Sequence, residues 1–333
     1  MMRAGANRLR SKIGSGEAAP VDMHADQLTI TAATVRALVA DQFPGWRDLP
    51  VRAVAAHGTV NAIFRLGDGL AARFPLRPGD PGEVRRELAS EADAARELLG
   101  RTPFRTPEPV ALGEPGAGYP LPWSVQTWLP GTPATPDSCA GSAPFARDLA
   151  AFVLAVRAIG TRGRVFRGGG RGGELRTHDA WLETCFERGE HLLDVPRLRR
   201  LWAELRLLPR GDAPDVMSHT DLIPGNVLVA GGRLTGVIDV GGFGPADPAL
   251  DLVGAWHLLD AGPRRVFRDA LGCADDEWAR GRAWAFQQAM GLVWYYAASN
   301  PAMSGLGRRT LARVTADERE HGALSPGHGE HID

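Results

Sequence analysis

Residues 218 to 242, SHTDLIPGNVLVAGGRLTGVIDVGG, set two short apolar runs around a Gly231-Gly232 turn. His219, Asp221 and Asn226 stand ahead of the first run and Asp239 behind the second. The pattern predicts a loop over 220–225, a strand over 227–229, a glycine turn and a second strand over 234–238. If the two glycines form the turn, antiparallel pairing sets Val237 opposite Asn226. Asp239 then shares the face of Val237, roughly 7 Å further along. One small hard cation could touch both Asn226 and Asp239. Carboxylate and amide oxygens suit Mg²⁺, which keeps several waters and takes only one or two protein oxygens beside substrate phosphates. Asp221 is left to face an incoming nucleophile. His-x-Asp, four residues and then Asn, with a further Asp after the next hairpin, is the arrangement of a phosphoryl-transfer loop. A solvated polar loop accounts for His-x-Asp alone, but not for Asn226 and Asp239 in register with it.

The only lysine in the chain is Lys12. A Walker A loop needs Gly-Lys-Ser/Thr, so a P-loop enzyme is excluded. Kinase-like enzymes place a strand lysine on the α- and β-phosphates, and the body of this chain has none to offer. The candidate replacement is Arg73 in NAIFRLGDGLAARFPLR, which predicts a strand over 62–66, a turn over 67–69 and a strand over 70–74. Arginine is always charged and forks onto phosphate oxygens. These residues leave a phosphate-contacting Arg73 and an ordinary surface arginine equally open.

At 333 residues and 44% hydrophobic content, the chain can bury one large core or two, and two lobes fit the length. The apolar runs stay well short of the ~20 residues that cross a bilayer. The opening MMRAGANRLRSKIGSGEAAP lacks the apolar stretch of a signal peptide. A cytoplasmic protein without a membrane partner is expected. Cys139, Cys185 and Cys273 are too scattered for a disulfide framework or a zinc site. A net charge of −1 gives no electrostatic footprint for nucleic acid. The composition predicts a disordered leader over 1–22, an N-terminal lobe over 23–128, a C-terminal lobe over 129–320 and a disordered tail over 321–333. The three histidines of that tail, spaced by Gly and Pro, do not read as a metal site.

The 219–239 combination, with DPALDL after it and YPLPWSVQTWLPG before it, resembles the aminoglycoside phosphotransferase family, antibiotic kinases of protein-kinase-like fold. The resemblance runs from about residue 23 to about 317. It is nearest to an actinobacterial-type branch in which the strand lysine is read as arginine. It implies an α+β bilobal fold, with an antiparallel sheet and one main helix in the small lobe and a larger, mostly helical lobe carrying the catalytic hairpin. It implies that Arg73 pairs with a helix glutamate. Glu91 in EVRRELASEADAARELLG fits best, with Glu87 one turn earlier as the competitor. It further implies Asp221 as catalytic base with His219 bracing the loop, Mg²⁺ on Asn226 and Asp239, and ATP or GTP as phosphoryl donor. Asn61, Gln126 and Trp128 become candidate nucleotide-binding residues, the last two in the linker before Leu129-Pro130-Gly131. The acceptor would be an aminoglycoside, a macrolide or a related hydroxylated natural product. A metabolite kinase acting on a sugar or amino alcohol, or a non-catalytic nucleotide-binding scaffold, shares the same fold.

Other segments read more plainly. TAATVRALVADQF and FARDLAAFVLAVRAIG have helical apolar spacing. VFRGGGRGGELRTHD lacks the strand that a phosphate cradle requires, so a flexible loop beside the acceptor is expected. DAWLETCFERGEHLLD sets Asp179, Glu183, Glu187 and Glu190 on one helical face, which would attract a polyamine unless the nearby arginines of VPRLRRLWAEL dilute it. Asp247 before Pro248 reads as a helix N-cap, and Asp251 one turn on suits the helix dipole. Trp256, Trp278, Trp284, Trp294, Tyr295 and Tyr296 read mostly as core, with some free to line an acceptor cleft.

Overall fold

The computed structural model describes residues 27–54, 60–168 and 170–322. The leader expected over 1–22 and the tail beyond 322 lie outside them. In the small lobe, the Thr31 hydroxyl accepts the Thr34 N–H and caps α1 (Ala32–Gln42), whose Val35, Leu38 and Val39 are buried. β1 (Val51–Ala53), β2 (Asn61–Leu66) and β3 (Leu70–Pro75) form an antiparallel meander. Gly67, at φ +57, permits the tight turn between β2 and β3. α2 (Pro81–Leu98) starts at Asp80, whose carboxylate accepts the Glu83 N–H at 2.9 Å, with Pro81 where no donor is needed. β4 (Pro109–Gly113) and β5 (Trp123–Thr127) complete a sheet of order β1-β2-β3-β5-β4. The pleat sorts its two faces. Phe64, Leu66, Phe74, Trp123 and Val125 enter the lobe's core. Asn61, Ile63, Arg65, Arg73, Ser124 and Gln126 share the other face by strand register.

The large lobe begins with β6 (Thr132–Pro133), then α3 (Ala143–Arg157), α4 (Asp179–Gly189), α5 (Val195–Leu205) and β7 (Val216–Ser218). The hairpin β8 (Val227–Ala230) and β9 (Arg233–Val237) follows, with β6 on the outer edge of β8, and β10 (Gly244–Ala246) pairs with β7. α6 (Val253–Leu258), α7 (Ala261–Leu271), α8 (Asp275–Tyr295) and α9 (Pro301–Gly322) close the lobe. Its core gathers Phe145, Phe152, Trp256, Trp284 and Phe286. Trp278 is buried as well, while Trp181 and Tyr295 remain exposed.

Two sequence expectations change. The hairpin register is shifted by one: a bulge at Thr235 pairs Val227 with Val237, so Asn226 stands beside Ile238, whose N–H reaches the Asn226 carbonyl at 2.9 Å. The second strand therefore ends at Val237, and Asp239 lies beyond it in the left-handed region at φ +58. The helix expected at Asp247 starts instead with a single 3₁₀ turn at Leu250–Leu252. Asp247 caps only the turn, accepting the Ala249 N–H at 3.0 Å, while its other oxygen accepts from buried Arg280 and from Trp284 Nε1. Its role is structural, as the sequence suggests, but it serves an interior ion pair rather than a helix end.

Candidate active site

β7 delivers the chain to His219, which is fully buried. A carbonyl only accepts, so the 3.0 Å contact with Ile238 makes His219 Nε2 the donor, and Nδ1 faces the Asp221 N–H at 3.4 Å. His219 thus ties the loop to the end of β9. Thr220 follows at φ +76, a conformation that costs a β-branched residue on the order of 1–3 kcal/mol. Asp251 holds it there, accepting the N–H groups of His219 at 2.7 Å and Thr220 at 2.8 Å. Asp251 therefore anchors the loop, where the sequence suggests only a helix-dipole contact. Burial pushes its carboxyl up, with His219 and the two N–H bonds pulling the other way.

Asp221 leaves this loop with both oxygens engaged. Oδ1 accepts from Gln288 Nε2 at 2.7 Å and Arg171 Nη2 at 3.0 Å, and Oδ2 accepts from Asn226 Nδ2 at 3.0 Å. Burial raises this carboxyl, but Arg171, His219 and Gln288 outweigh it and hold it below its ordinary range. Asn226 spends its amide nitrogen on Asp221, leaving its Oδ1 without a protein donor among the described residues. Gln288 is set from behind. Asp221 can only accept, so the glutamine turns its amide nitrogen to it and its oxygen to His257 Nε2 at 3.1 Å. His257 then donates from Nε2 and accepts from the Thr310 hydroxyl at Nδ1, 2.8 Å away.

The small lobe meets this loop through Arg73. Nη1 donates to Glu91 Oε2 at 3.1 Å and Nη2 to Asp239 Oδ1 at 3.0 Å. Glu91, not Glu87, is the glutamate that Arg73 reaches. Two glycines make this approach possible: a Cβ on Gly241 would lie 2.6 Å from Glu91 Cγ, and one on Gly242 2.5 Å from the Thr220 hydroxyl. Arg73, Glu91, Ser124, Gln126 and Gly241 line one pocket between sheet and loop. Asn61 shares the Arg73 face at the start of β2, opposite Pro75. Trp128 lies beyond β5, its N–H on the Gly69 carbonyl at 2.8 Å and its ring beneath the Arg65 guanidinium at 5.0 Å.

The profile of the phosphotransferase enzyme family (APH) matches residues 52–284. The chain belongs to that family. No curated protein sequence matches it. Among solved structures, a GDP complex of a variant aminoglycoside 2'-phosphotransferase IIIa is similar at 20% identity and a TM-score of 0.67, covering 89% of this chain and all of that one. The GDP and kanamycin complex of APH(2")-IIIa is similar at 19% identity and a TM-score of 0.64, covering 85% of this chain and 98% of that one. A macrolide 2'-phosphotransferase from Brachybacterium faecium, as apoenzyme, gives 20% identity and a TM-score of 0.57 over 89% of this chain and 99% of that one. These likenesses establish the bilobal kinase-like fold.

Several groups around the site of this phosphotransferase are not marked in its sequence. Arg171 and Gln288 lie 50 and 67 residues from Asp221, and the glycine run around Arg171 reads as slack. The described part of that loop is docked instead: Asp215 accepts the Phe166 N–H at 2.6 Å, and the Gly172 carbonyl accepts the Asp247 N–H at 2.8 Å. The acidic face of α4 is partly taken up. Asp179 accepts from Arg206 and from Trp202 Nε1 at 3.0 Å, and Glu183 pairs with Arg199. Among the described residues no helix is long and apolar enough to cross a membrane.

His257 carries a pH signature. Burial pushes it down to about 4, against the Gln288 hydrogen bond and the Asp221 charge. The unfolded chain takes up this proton near pH 6.5 and the native state only near 4, so the unfolded state binds more protons between them. Stability is expected to fall as pH drops through that window, and His257→Gln should flatten the fall. Urea midpoints at pH 7 and pH 5 check this; identical pH dependence in the two proteins would refute it.

Proposed function

We propose that this phosphotransferase moves the γ-phosphoryl group of ATP or GTP to a hydroxyl of an antibiotic-like small molecule, an aminoglycoside, a macrolide or a related natural product, with Mg²⁺ as cofactor. The observation that carries the reading is the joining of Asn226 to both the carboxylate and the carbonyl of Asp221, with Asp239 tied to Glu91 through Arg73. The similar solved structures include one with GDP and kanamycin bound and one of a macrolide phosphotransferase, which supports this reading.

The residues present fit the metal. Asn226 Oδ1 is free of protein donors, and Asp239, about half exposed, has one oxygen on Arg73 and the other unengaged among the described residues. Among the described residues no cluster of three His, Cys, Asp or Glu side chains could hold a metal unaided. A hard cation that borrows its remaining ligands from phosphate and water suits such a pair. Bound there, Mg²⁺ would neutralise charge on the transferring phosphate. Arg73, oriented by Glu91, offers its guanidinium to the nucleotide phosphates, in competition with Asp239. Asp221 orients the acceptor hydroxyl and takes its proton, and positioning contributes more than base strength in a loose transition state. His219 contributes by fixing the loop.

Thermal unfolding with ATP and GTP, each with and without Mg²⁺, tests this reading. At a nucleotide concentration about a hundredfold above Kd, binding to the native state alone adds about 2.7 kcal/mol. A rise in Tm that requires Mg²⁺ is expected with at least one nucleotide. No rise with either, up to millimolar concentration, would overturn both the donor and the metal assignments.

A further inference from the structure

Arg171 touches the proposed base, and what it does there rests on the phosphotransfer reading above. Hydrogen-bond stoichiometry fixes where the acceptor hydroxyl can go. A carboxylate oxygen offers about two acceptor sites. Oδ1 of Asp221 has both filled, by Arg171 Nη2 at 3.0 Å and Gln288 Nε2 at 2.7 Å. Oδ2 holds only Asn226 Nδ2, so one site remains open there. An incoming hydroxyl therefore donates to Oδ2 while Arg171 stays on Oδ1.

Arg171 has reasons to stay. Its Nη2 also donates to the Thr220 carbonyl at 3.3 Å. The next two residues are fastened to the interior, the Gly172 carbonyl to the Asp247 N–H at 2.8 Å and the Gly173 carbonyl to Arg280 Nη2 at 3.3 Å. A Cβ on Gly172 would fall 2.9 Å from the Ala246 side chain, so the backbone is seated close. The arginine is half-buried, and its Nε and Nη1 make no hydrogen bond among the described residues. A fixed cation in contact with the base thus keeps N–H groups to spare.

On α4, Asp179 and Glu183 are held by Arg206 and Arg199, while Glu187 stays exposed further along the helix. Along α8, Gln288 is followed one turn on by Gly291, which has no Cβ and lets the Trp181 ring lie against the helix. One further turn brings Tyr295, whose hydroxyl meets Arg77 of the small lobe at 3.4 Å. The surface is aromatic, amide and basic.

We infer that Arg171 is a specificity-determining residue, selecting acceptors whose reacting hydroxyl is neighboured by an oxygen acceptor and rejecting those that bring an ammonium group there. An unused N–H of the guanidinium donates to a carbonyl, ether, carboxylate or phosphate oxygen, and its charge repels a protonated amine at the same distance. Among the acceptors named above, this counts against the polycationic aminoglycosides.

Kanamycin and its fully N-acetylated derivative share their hydroxyls and differ in the ammonium groups, so the pair isolates the proposed selection. Binding of each is measured by calorimetry on the wild type and on Arg171→Gln, which keeps a donor and removes the charge. Thermal unfolding with Mg²⁺ and nucleotide runs in parallel. The wild type should bind the acetylated compound at least about tenfold more tightly, and Arg171→Gln should reduce that preference severalfold. Equal affinities in the wild type, binding of neither included, or a preference unchanged in the variant would overturn the inference. Those outcomes with an intact Mg²⁺-dependent nucleotide shift reject only the role of Arg171, whereas loss of that shift in the wild type rejects the phosphotransfer reading itself.

Discussion

Asp221→Ala is expected to lower transfer to any accepted hydroxyl by on the order of 10²–10⁴-fold, the range that a positioned general base contributes. Nucleotide affinity in the presence of Mg²⁺ should stay close to that of the wild type. The separation follows from the contacts. Asp221 touches Arg171, Gln288 and Asn226, and it is Arg73, Glu91 and Asp239 that meet where the nucleotide is proposed to bind. Asn226 also donates to the Asp221 backbone carbonyl at 3.0 Å, a bond the substitution keeps, so its side chain is not set adrift. The loop itself hangs on Asp251 and His219 rather than on the Asp221 side chain. Nucleotide diphosphate release with an acceptor, set beside the thermal shift with nucleotide and Mg²⁺, gives both quantities on one preparation. Transfer retained at wild-type rate would remove Asp221 from the role of base. Loss of the nucleotide shift would mean that Asp221 belongs to the donor site.

The pattern around 219–239 was readable because the chemistry is local: one loop and one hairpin carry His219, Asp221, Asn226 and Asp239. Even there the pairing slipped by one residue, since nothing in VLVAGGRLTGV marks Thr235 as the bulge. Its hydroxyl bonds the Leu228 carbonyl at 3.1 Å, a contact that exists only once the strands are paired. Arg73 was readable only as a candidate for the missing lysine, with an ordinary surface arginine equally open. The choice of Glu91 over Glu87 needed the tertiary placement of α2, because both are helical carboxylates one turn apart. Asp251 misled for the same reason in reverse: its position near a helix start offers a local use, while its partners lie 31 and 32 residues away. Arg171, Gln288 and His257 converge on Asp221 from three distant segments, and no period or motif in a single sequence joins them. On the acidic face of α4, Asp179 and Glu183 are taken up by Arg206 and Arg199, pairings that the charge pattern alone does not give.

Asp247→Ala is expected to be the most destabilising single change in the large lobe, at about 3–5 kcal/mol, the range for stripping one partner from a buried ion pair. That is a large share of the 5–15 kcal/mol on which a typical domain rests. The Asp247 carboxylate is 2% exposed as a residue and accepts from Arg280 Nε at 3.0 Å, Arg280 Nη2, Trp284 Nε1 at 3.0 Å and the Ala249 N–H at 3.0 Å. Its loss leaves a guanidinium inside the protein with only the carbonyls of Leu208 and Gly173 for company. Adding Arg280→Met removes the stranded charge, so the double variant should regain part of the stability that Asp247→Ala loses. Denaturant unfolding of the two single variants and the double completes the cycle. A loss below about 1 kcal/mol for Asp247→Ala would show that the pair is not the interior anchor its contacts describe. The consequence reaches the active site, because Arg280 holds the Gly173 carbonyl and the Asp247 N–H holds that of Gly172. The Asp247 N–H survives the substitution while the grip of Arg280 does not survive Arg280→Met. Selection by Arg171 should therefore weaken more in the double variant than in Asp247→Ala, even though the double variant is the more stable of the two.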